Sequence, residues 1–412
     1  MECRLMNLRN GRASVLVNGV PTDDFGVCRG LRQGDPLSPF LFILAMEGLH
    51  AIIEKAKRVN LITGVEVGSN GVVLSHLMYA DDVIFMGEWS LRNASNLIGM
   101  LRCFYVMSGL KINVTKSNLI GVGVEAAESR ELAAVLGCGV AELPFKYLGV
   151  PVGNDMSRIG GWRDVVDKFK LKLSNWRARF LSVGGRLVLI KVVLSNLPIY
   201  YLSIYKIPVI VEKELEALRN NFFIGGDLAD RKMTWVAWRK YLASMEVGGL
   251  SIGSIFAFNR ALLFKWIWRF RMNRNDLWVN VITSIYGMDC GIDQPRRSSN
   301  GNPWCAVLKV VDQFRSRGVD LIVACDRKVG DGRNTSFWVG LLDWSRCLRR
   351  WPRGGIKMHQ FTSLQDTLPQ VHMSGGRDTW VWSPDPEGGY SVKAARGLID
   401  GTILDVDYVT TR

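Results

Sequence analysis

The feature that most constrains the fold of this chain is a pair of adjacent aspartates, Asp81 and Asp82, inside the apolar run His76–Met86, HLMYADDVIFM. Two like charges about 4 Å apart repel by about 4 kcal/mol at an effective dielectric constant near 20. Burying either carboxylate without a partner is also unfavourable. Because neighbouring side chains of a strand point to opposite faces, a continuous strand cannot present both acids to one cleft. A hairpin with the acids at its tip can present both of them to one cleft. A divalent cation bound there would be coordinated by both carboxylates, which removes their repulsion.

Turn and cap residues around this run predict further elements of mixed type. Asn18-Gly19 marks a hairpin turn. Asp35 and Pro36 predict the start of a helix that is apolar on nearly all sides from Phe40 to Ile53, and is therefore buried. The other predicted elements are a helix bounded by Ser90 and Gly109, a strand, turn and strand over 110–122, a helix over 125–136 and a tight hairpin over 144–153.

The charge of the chain favours a polyanionic partner. Its net charge is +14, from 52 basic and 38 acidic residues, which favours nucleic acid first and an anionic membrane surface second. Half of this excess lies in the segment 158–191, where nine basic residues accompany two acidic ones. Trp162 and Trp176 interleave with these cations, which is typical of a nucleic-acid groove, although a solvated helix face has the same pattern. A second basic helix over 254–271 contains Trp266 and Trp268, for which core or boundary positions are favoured over base stacking.

Cysteine usage and hydropathy predict an intracellular protein of the nucleus or cytoplasm. The eight cysteines form no CxxC pair, and with only four histidines no zinc-finger spacing appears. They therefore indicate reduced thiols. The most apolar stretch, Leu187–Val211, carries Lys191, Lys206 and two prolines, so a buried helix and strand are favoured over a membrane span. We expect no membrane association, and the oligomeric state stays open.

Several blocks of the sequence resemble the ordered palm motifs of reverse transcriptases, and most closely those of the LINE-type, non-LTR retrotransposons abundant in plants. The blocks are Gly30–Pro39 (GLRQGDPLSP), Tyr79–Asp82 (YADD), Gly109–Asn113 (GLKIN) with Lys116-Ser117, and Phe145–Gly149 (FKYLG). The YADD motif alone is weak evidence for the family, because a given four-residue motif arises by chance in roughly one chain in several hundred of this length. The ten-residue block ahead of it, in the right order, removes chance as an explanation.

The resemblance continues beyond the palm. Gly248–Ile252, Asn259–Leu263 and Lys265-Trp266 look like the segment that follows the thumb in those elements. Asp331–Trp338 and Tyr390–Lys393 look like the stretch that leads to their terminal zinc-binding module. The resemblance therefore covers most of the chain.

The resemblance implies roles for the matched residues, with an RNA template, a DNA primer and deoxynucleotides as partners. Asp81 would bind the two catalytic Mg²⁺ ions, or Mn²⁺ in their place, with Asp82 in a supporting role. Lys116, or less favourably Lys111, would stand near the departing pyrophosphate. Residues assigned to the nucleotide and template are Arg32, Gln33 and Gly34, and those assigned to the primer are Tyr79, Phe145, Lys146, Tyr147, Leu148 and Gly149. Backbone contacts are assigned to Arg163, Lys168, Lys170, Lys172, Arg177, Arg179, Arg186 and Lys191.

Structural roles remain open for three of the matched residues. Asp35 is also a good helix cap, Lys116 suits a turn, and Tyr147 suits a core position. For Asp81 and Asp82 the functional interpretation is favoured.

These features predict an α+β fold in three parts. Residues 1–153 would form an incomplete polymerase palm, an antiparallel sheet with packed helices. Residues 154–272 would form a helical basic thumb and connection, and 273–412 a small Trp-rich region leading to an incomplete zinc-binding-type module.

The resemblance also implies a missing catalytic ligand. Related reverse transcriptases take a further aspartate from a strand upstream of the RQGDP block, but only Asp23, Asp24 and Asp35 precede Asp81 here. Two-metal catalysis needs acidic ligands from both places. We therefore expect a truncated reverse transcriptase whose two-ion site is incomplete and which is inactive by itself. The alternatives are a non-catalytic nucleic-acid-binding protein and an unstable pseudogene product, and an intron-encoded maturase fits the plant-like segment 248–268 less well.

Overall fold

The computed structural model of the chain describes residues 12–26, 34–69, 71–176, 178–226, 235–287, 290–292, 302–315, 320–328, 355–367 and 376–404. Their contacts form two compact units, Met1–Phe145 and Lys146–Arg412. The division between the units lies ahead of residue 153, and the three predicted parts of the chain stay a prediction.

Within the described residues, the first unit contains three helices and short strands that pair two at a time. The helices are α1 (Ser38–Arg58), α2 (Leu91–Ser108) and α3 (Ala126–Leu136). The strands are β1 (Arg12–Ala13), β2 (Leu16–Val17), β3 (Val20–Pro21), β4 (Phe25–Gly26), β5 (Val65–Val67), β6 (Val72–Leu74), β7 (His76–Tyr79), β8 (Asp82–Phe85), β9 (Asn118–Leu119) and β10 (Gly139–Val140). A further hairpin pairs β11 (Phe145–Tyr147) with β12 (Val150–Val152), and the boundary between the units falls within β11.

The strand pairing confirms a mixed α and β fold but not a single palm sheet. Pairs β1–β4, β2–β3, β5–β6 and β7–β8 are antiparallel, whereas β9–β10 is parallel. Within the described residues each pair is a separate two-stranded sheet. The predicted strand, turn and strand over 110–122 is wrong, because a 3₁₀ turn at Val114–Lys116 replaces all but the two residues of β9. Local hairpin signals were readable in the sequence, whereas pairing between distant strands was not.

The predicted ends of α2 and α3 are confirmed. The Ser90 hydroxyl caps α2 by accepting a hydrogen bond from the backbone N–H of Asn93 at 3.1 Å. Gly109 ends that helix with φ 73°, and Gly137 ends α3 in the same left-handed conformation. Asn18 and Gly19 also have positive φ, at the turn between β2 and β3.

Helix α1 is less buried than predicted. Leu49, Ile53 and Ala56 are buried, but Phe40 and Leu44 in the first half are 70% and 66% exposed. The core of the first unit explains this difference, since its members on α1 all lie at or after Met46. Asp35 does not cap the helix either: its Oδ1 accepts a hydrogen bond from the N–H of Leu37 at 2.8 Å, and the helix starts one residue later.

The second unit is predominantly helical. Its helices are α4 (Arg163–Trp176), α5 (Val183–Leu189), α6 (Ile199–Ile204), α7 (Val209–Phe223), α8 (Trp238–Leu242), α9 (Ile255–Met272), α10 (Leu277–Tyr286), α11 (Pro303–Arg315), α12 (Ile356–Thr367) and α13 (Val392–Ile403). Strands β13 (Cys325–Lys328) and β14 (Thr379–Trp382) form an antiparallel pair. A π-helical turn, Ile190–Leu194, continues α5.

Helix α9 links the two hydrophobic cores of this unit. One core joins α4, α6 and α7, with Trp162 fully buried, and takes in residues at the start of α9. The other joins α9 to α10, α11, β14 and α13. Trp162 therefore belongs to a core, and Trp176 packs against that core with part of its side chain exposed. Trp266 and Trp268 pack at the boundary of the second core, as predicted.

The apolar stretch Leu187–Val211 forms helices within the second unit. The predicted strand is absent there, because α5, the π-helical turn, α6 and the start of α7 cover the stretch. No helix within the described part of the chain combines the length and hydrophobicity that a membrane crossing requires. Five cysteines of the described residues are free thiols, three of them buried.

Candidate functional site

The acidic pair lies at the tip of a hairpin, as predicted. Strands β7 and β8 pair antiparallel with Tyr79 opposite Asp82, which leaves Ala80 and Asp81 as the two-residue turn. Residues on one face of the hairpin pack against the core of α1 and α2; they are Met78, Val83 and Phe85. This packing fixes the base of the hairpin and leaves its tip free.

Both carboxylates of the pair are exposed to solvent. No cation and no hydrogen-bond donor within the described residues pairs with the side chain of Asp81 or Asp82. Nor do the described residues bring a third histidine, cysteine or acidic side chain into a cluster that could hold a metal ion. Paired carboxylate oxygens are hard ligands of the kind that Mg²⁺ prefers. The donors therefore fit one side of a magnesium site.

Tyr79 lies next to the acids, and a histidine pair lies at the other end of the same strand. Tyr79 is 60% exposed beside the turn. His76 Nε2 is 2.7 Å from Nδ1 of His50 on α1, and its Nδ1 is 2.9 Å from the Ser75 hydroxyl. Burial, and next the charge of His50, lower the pKa of His76. Sequence reasoning missed this pair, because the residues are 26 positions apart and only the packing of β7 on α1 joins them.

The other residues assigned to nucleotide chemistry lie apart from the acids in the chain. Lys116 is exposed at the end of the 3₁₀ turn that precedes β9. Within the described residues no ion pair connects Lys116 with Asp81 or Asp82. Gly34 is exposed with φ 89°, and a Cβ there would meet no neighbour within 4 Å. Arg32 and Gln33 lie outside the described residues.

The hairpin assigned to the primer has a tight, left-handed turn. Leu148 and Gly149 have φ values of 49° and 79° and connect β11 to β12. Phe145 and Tyr147 are half-buried, whereas Leu148 is exposed. Lys146 Nζ lies 2.5 Å from Oδ2 of Asp164 on α4, and that carboxylate raises the pKa of Lys146. The ion pair is solvent-exposed and contributes little to stability.

Helix α4 presents cations on both sides of a buried stripe. Val165, Val166, Phe169 and Leu173 face the core. Exposed cations of this helix are Arg163, Lys168, Lys170 and Lys172. Lys168 and Lys172 are one turn apart, where like charges repel each other. Lys170 already has a partner, with its Nζ 2.8 Å from Glu214 Oε1.

The remaining cations of the segment 158–191 differ in exposure. Arg179 is exposed, with its guanidinium 4.9 Å from the centre of the Phe180 ring. Lys191 is half-buried in the π-helical turn. Arg186 is also half-buried and lies against Gly225, where an added Cβ would collide with its guanidinium. Its packing makes Arg186 a weaker candidate for backbone contact than predicted. Arg177 lies outside the described residues.

Sequence reasoning also missed a set of buried polar residues in the second unit. Arg219 is fully buried, donates a hydrogen bond to Oε2 of Glu216 at 2.9 Å and contacts the Ser195 hydroxyl at 3.3 Å. Asp400 accepts a hydrogen bond at 2.6 Å from the hydroxyl of Ser254, which caps α9. A serine before an apolar helix was the one sequence signal that marked this region.

Comparison with known proteins identifies the class of the first unit. Residues 6–152 match the family model described as reverse transcriptase (RNA-dependent DNA polymerase). The match includes the acidic hairpin, Lys116 and the β11–β12 hairpin. This part of the chain is therefore similar to a reverse transcriptase domain.

Individual relatives indicate which type of reverse transcriptase the chain resembles. A protein of Arabidopsis thaliana named as a ribonuclease H protein is 29% identical over 179 residues, which are 42% of this chain and 28% of that protein. A Pol polyprotein from a type-2 retrotransposable element of Drosophila melanogaster is 26% identical over 153 residues, 37% of this chain and 13% of that protein. An uncharacterized mitochondrial protein of A. thaliana is 43% identical over 67 residues, 16% of this chain and 55% of that protein. The predicted resemblance to plant-type non-LTR retrotransposon reverse transcriptases is thus confirmed, over about a quarter of the first relative's length.

Proposed function

We propose that this chain descends from the polymerase of a LINE-type retrotransposon and that its inherited chemistry is RNA-templated DNA synthesis. In that reaction the primer 3′-hydroxyl attacks the α-phosphate of a deoxynucleotide and pyrophosphate leaves. The observation that carries the proposal is the Tyr79–Asp82 hairpin, whose tip exposes two adjacent, unpartnered carboxylates within a reverse transcriptase domain. No structural need in the described residues accounts for two neighbouring charges at that position.

The proposed role of the acids is to bind divalent metal. Asp81 would bind Mg²⁺, or Mn²⁺ in its place, with Asp82 in support, and the bound metal would stabilise charge on the attacking and leaving oxygens. Lys116 would stand near the pyrophosphate, and Arg32, Gln33 and Gly34 near the nucleotide and template base. The turn at Leu148-Gly149 would hold the primer end.

The second part of the proposal is that the 412-residue polypeptide alone extends no primer. Support comes from the donor set, since two carboxylates from one hairpin tip supply one side of a two-ion site, and the described residues add no third acid to them. The test is primer extension on an RNA template with Mg²⁺ or Mn²⁺, comparing the wild type with Asp81→Ala. Neither protein should extend the primer above background. Extension by the wild type that Asp81→Ala abolishes would overturn the inactivity and support the metal role.

A second candidate function is nucleic-acid binding without catalysis, favoured by the exposed cations of α4. Its affinity should fall steeply with salt, with a log–log slope of about −0.7 to −0.9 for each phosphate contacted. Asp81→Ala should leave that affinity unchanged. If the affinity for nucleic acid does not change with salt concentration, neither the polymerase function nor the binding function is tenable.

A melting curve tests whether the chain is an unstable pseudogene product. The two cores of the second unit predict a cooperative transition, because they bury large aromatic and aliphatic side chains. Absence of that transition would support the pseudogene product and exclude both functions.

A further inference from the structure

The segment 248–268 resembles retrotransposon polymerases, but the proposed reaction gives it no role. It holds Asn259 and Trp266 on α9, and both side chains point to the chain around the end of α6. Their contacts continue to the β11–β12 hairpin. The inference below rests on the proposed function, because it concerns the hairpin assigned to the primer.

Asn259 on α9 holds the backbone at the end of α6. Asn259 is fully buried, and its Nδ2 donates hydrogen bonds to the carbonyl oxygens of Leu202 at 2.7 Å and Tyr205 at 2.8 Å. Its Oδ1 accepts a hydrogen bond from the N–H of Ile207 at 3.1 Å. These three hydrogen bonds of one buried side-chain amide fix the backbone at the C-terminal end of α6, where carbonyl oxygens otherwise lack partners.

Trp266 adds a fourth fixed point. Its Nε1 donates a hydrogen bond to the carbonyl oxygen of Ser203 at 2.6 Å. Its indole also packs edge-on against Trp278, with ring centres 5.3 Å apart. The backbone of residues 202–207 is therefore held by side chains of a helix that belongs to both cores of the unit.

Tyr205 connects this fixed backbone to the β11–β12 hairpin. Tyr205 extends its half-buried side chain so that the hydroxyl donates a hydrogen bond to the carbonyl oxygen of Pro151 at 2.8 Å. Pro151 is the middle residue of β12, and it has no N–H with which to strengthen the pairing of its strand. Val150 and Pro151 are buried, whereas the turn at Leu148-Gly149 is exposed.

A hairpin of two three-residue strands cannot set its own orientation. Isolated two-stranded hairpins are marginally stable in water, so tertiary contacts must determine where the turn points. The Lys146–Asp164 ion pair is exposed and weak. The half-buried Tyr205 hydroxyl is better placed to fix the strand, because a neutral hydrogen bond away from water keeps its directionality.

We propose that Tyr205 is a positioning residue for the primer, and that Asn259 and Trp266 hold Tyr205 in place. Tyr205 touches no nucleic acid in this scheme. It fixes the angle of the β11–β12 turn, so that the exposed turn meets the 3′ end of a primer paired to its template.

The test compares the affinity of the full chain for two ligands that contain the same RNA strand and differ in the length of the DNA strand paired to it. One is a DNA primer with a recessed 3′ end on an RNA template, and the other is the blunt hybrid duplex. The ratio of the two affinities measures recognition of the primer end, whereas thumb-type backbone contacts contribute to both. Tyr205→Phe should reduce the ratio by about five-fold, as expected for the loss of one hydrogen bond, and leave blunt-duplex affinity unchanged.

Tyr200→Phe is the matched control. Tyr200 lies on α6, the helix that Tyr205 follows, is 60% exposed and donates no hydrogen bond from its hydroxyl within the described residues. This variant should keep the wild-type ratio. Hydrogen exchange gives a second readout, because the amides of residues 146–152 should exchange faster in Tyr205→Phe and not in Tyr200→Phe.

The outcomes separate this inference from the proposed function. If the wild type prefers the recessed end and Tyr205→Phe keeps that preference, the inference fails and the proposed function stands. If the wild type binds both ligands equally, there is no primer-end site to position and the inference fails. If the wild type binds neither ligand, the proposed function fails and takes the inference with it.

Discussion

At the scale of single residues, the acidic turn combines charge with backbone strain. Ala80 precedes Asp81 with φ 52°, in the left-handed region that side chains with a Cβ disfavour. Glycine would adopt this conformation without penalty, so the alanine makes the turn less stable than it could be. Strain of this kind concentrates at functional sites. It is consistent with a turn whose purpose is to aim Asp81.

The histidine pair beneath this hairpin makes the stability of the first unit sensitive to pH. Burial and His50 lower the pKa of His76, while Lys57 acts in the same direction and Glu54 opposes it. The folded state therefore disfavours the protonated ring more than the unfolded chain does. Stability is fully present above the ordinary histidine pKa of about 6.5 and is lost as the pH falls below it.

We predict that His76→Gln reduces this pH dependence. Urea unfolding at pH 7.5 and pH 5.0, followed by a probe in the first unit, should show a smaller loss of unfolding free energy in the variant than in the wild type. His359→Gln is the control, because His359 is exposed on α12 in the second unit. An equal loss in the wild type and His76→Gln would show that other groups cause the acid sensitivity.

The sequence allowed prediction of the acids but not of the histidines, and the reason is physical. Adjacent charges in an apolar run are unfavourable in a strand, so Asp81 and Asp82 indicated a turn without any tertiary information. His50 and His76 are ordinary residues in their own segments. Their pairing depends on how β7 packs on α1, which local patterns do not specify.

At the scale of elements, helix α4 shows both a predictable part and an unpredictable part. Its buried stripe follows helical spacing, and its charges were visible in the sequence. Which of those charges are paired depends on residues outside the helix. Only the fold places Glu214 beside Lys170, and Lys146 beside Asp164. Lys168 and Lys172 have no ion-pair partner within the described residues, and repel each other.

We predict that replacing Lys168 and Lys172 together by Gln weakens nucleic-acid binding and leaves the stability of the fold nearly unchanged. The salt dependence should become shallower by about 1.4 to 1.8 in log–log slope if each lysine contacts one phosphate. The repulsion removed between the two lysines is offset by the loss of the attraction between Lys168 and Asp164, one turn earlier, so the unfolding free energy should change by less than about 0.5 kcal/mol. Binding is measured by fluorescence anisotropy over a salt series, and unfolding by urea titration.

Lys57→Gln is the matched control for this pair. Lys57 is an equally charged helical residue, but it is bound to Glu54 at 2.7 Å on α1. Its replacement should leave the slope of the salt dependence unchanged. If the double variant also keeps the wild-type slope, α4 is a solvated face and not a nucleic-acid surface.

At the scale of the whole molecule, the C-terminal helix of the second unit shares a core with α9, which lies in the middle of that unit's sequence. The sequence predicted a distinct, Trp-rich region after residue 272. Yet α13, near residue 400, packs along α9, and Asp400 binds the Ser254 cap of that helix. Arg396 also donates a hydrogen bond at 2.8 Å to the carbonyl oxygen of Ile252. Contacts between residues about 140 positions apart leave no periodic signal, which is why this packing was not predictable.

We predict from this arrangement that a single substitution near the C-terminal end destabilises the entire second unit. Ile399 is fully buried in the core that α13 shares with α9, so Ile399→Ala should lower the unfolding free energy by about 2–4 kcal/mol. Leu398, its neighbour, is 41% exposed, and Leu398→Ala should cost no more than about 1 kcal/mol. Thermal unfolding followed by tryptophan fluorescence measures both. Equal effects of the two variants would show that α13 is not part of this core, and a separate C-terminal region would then be the better description.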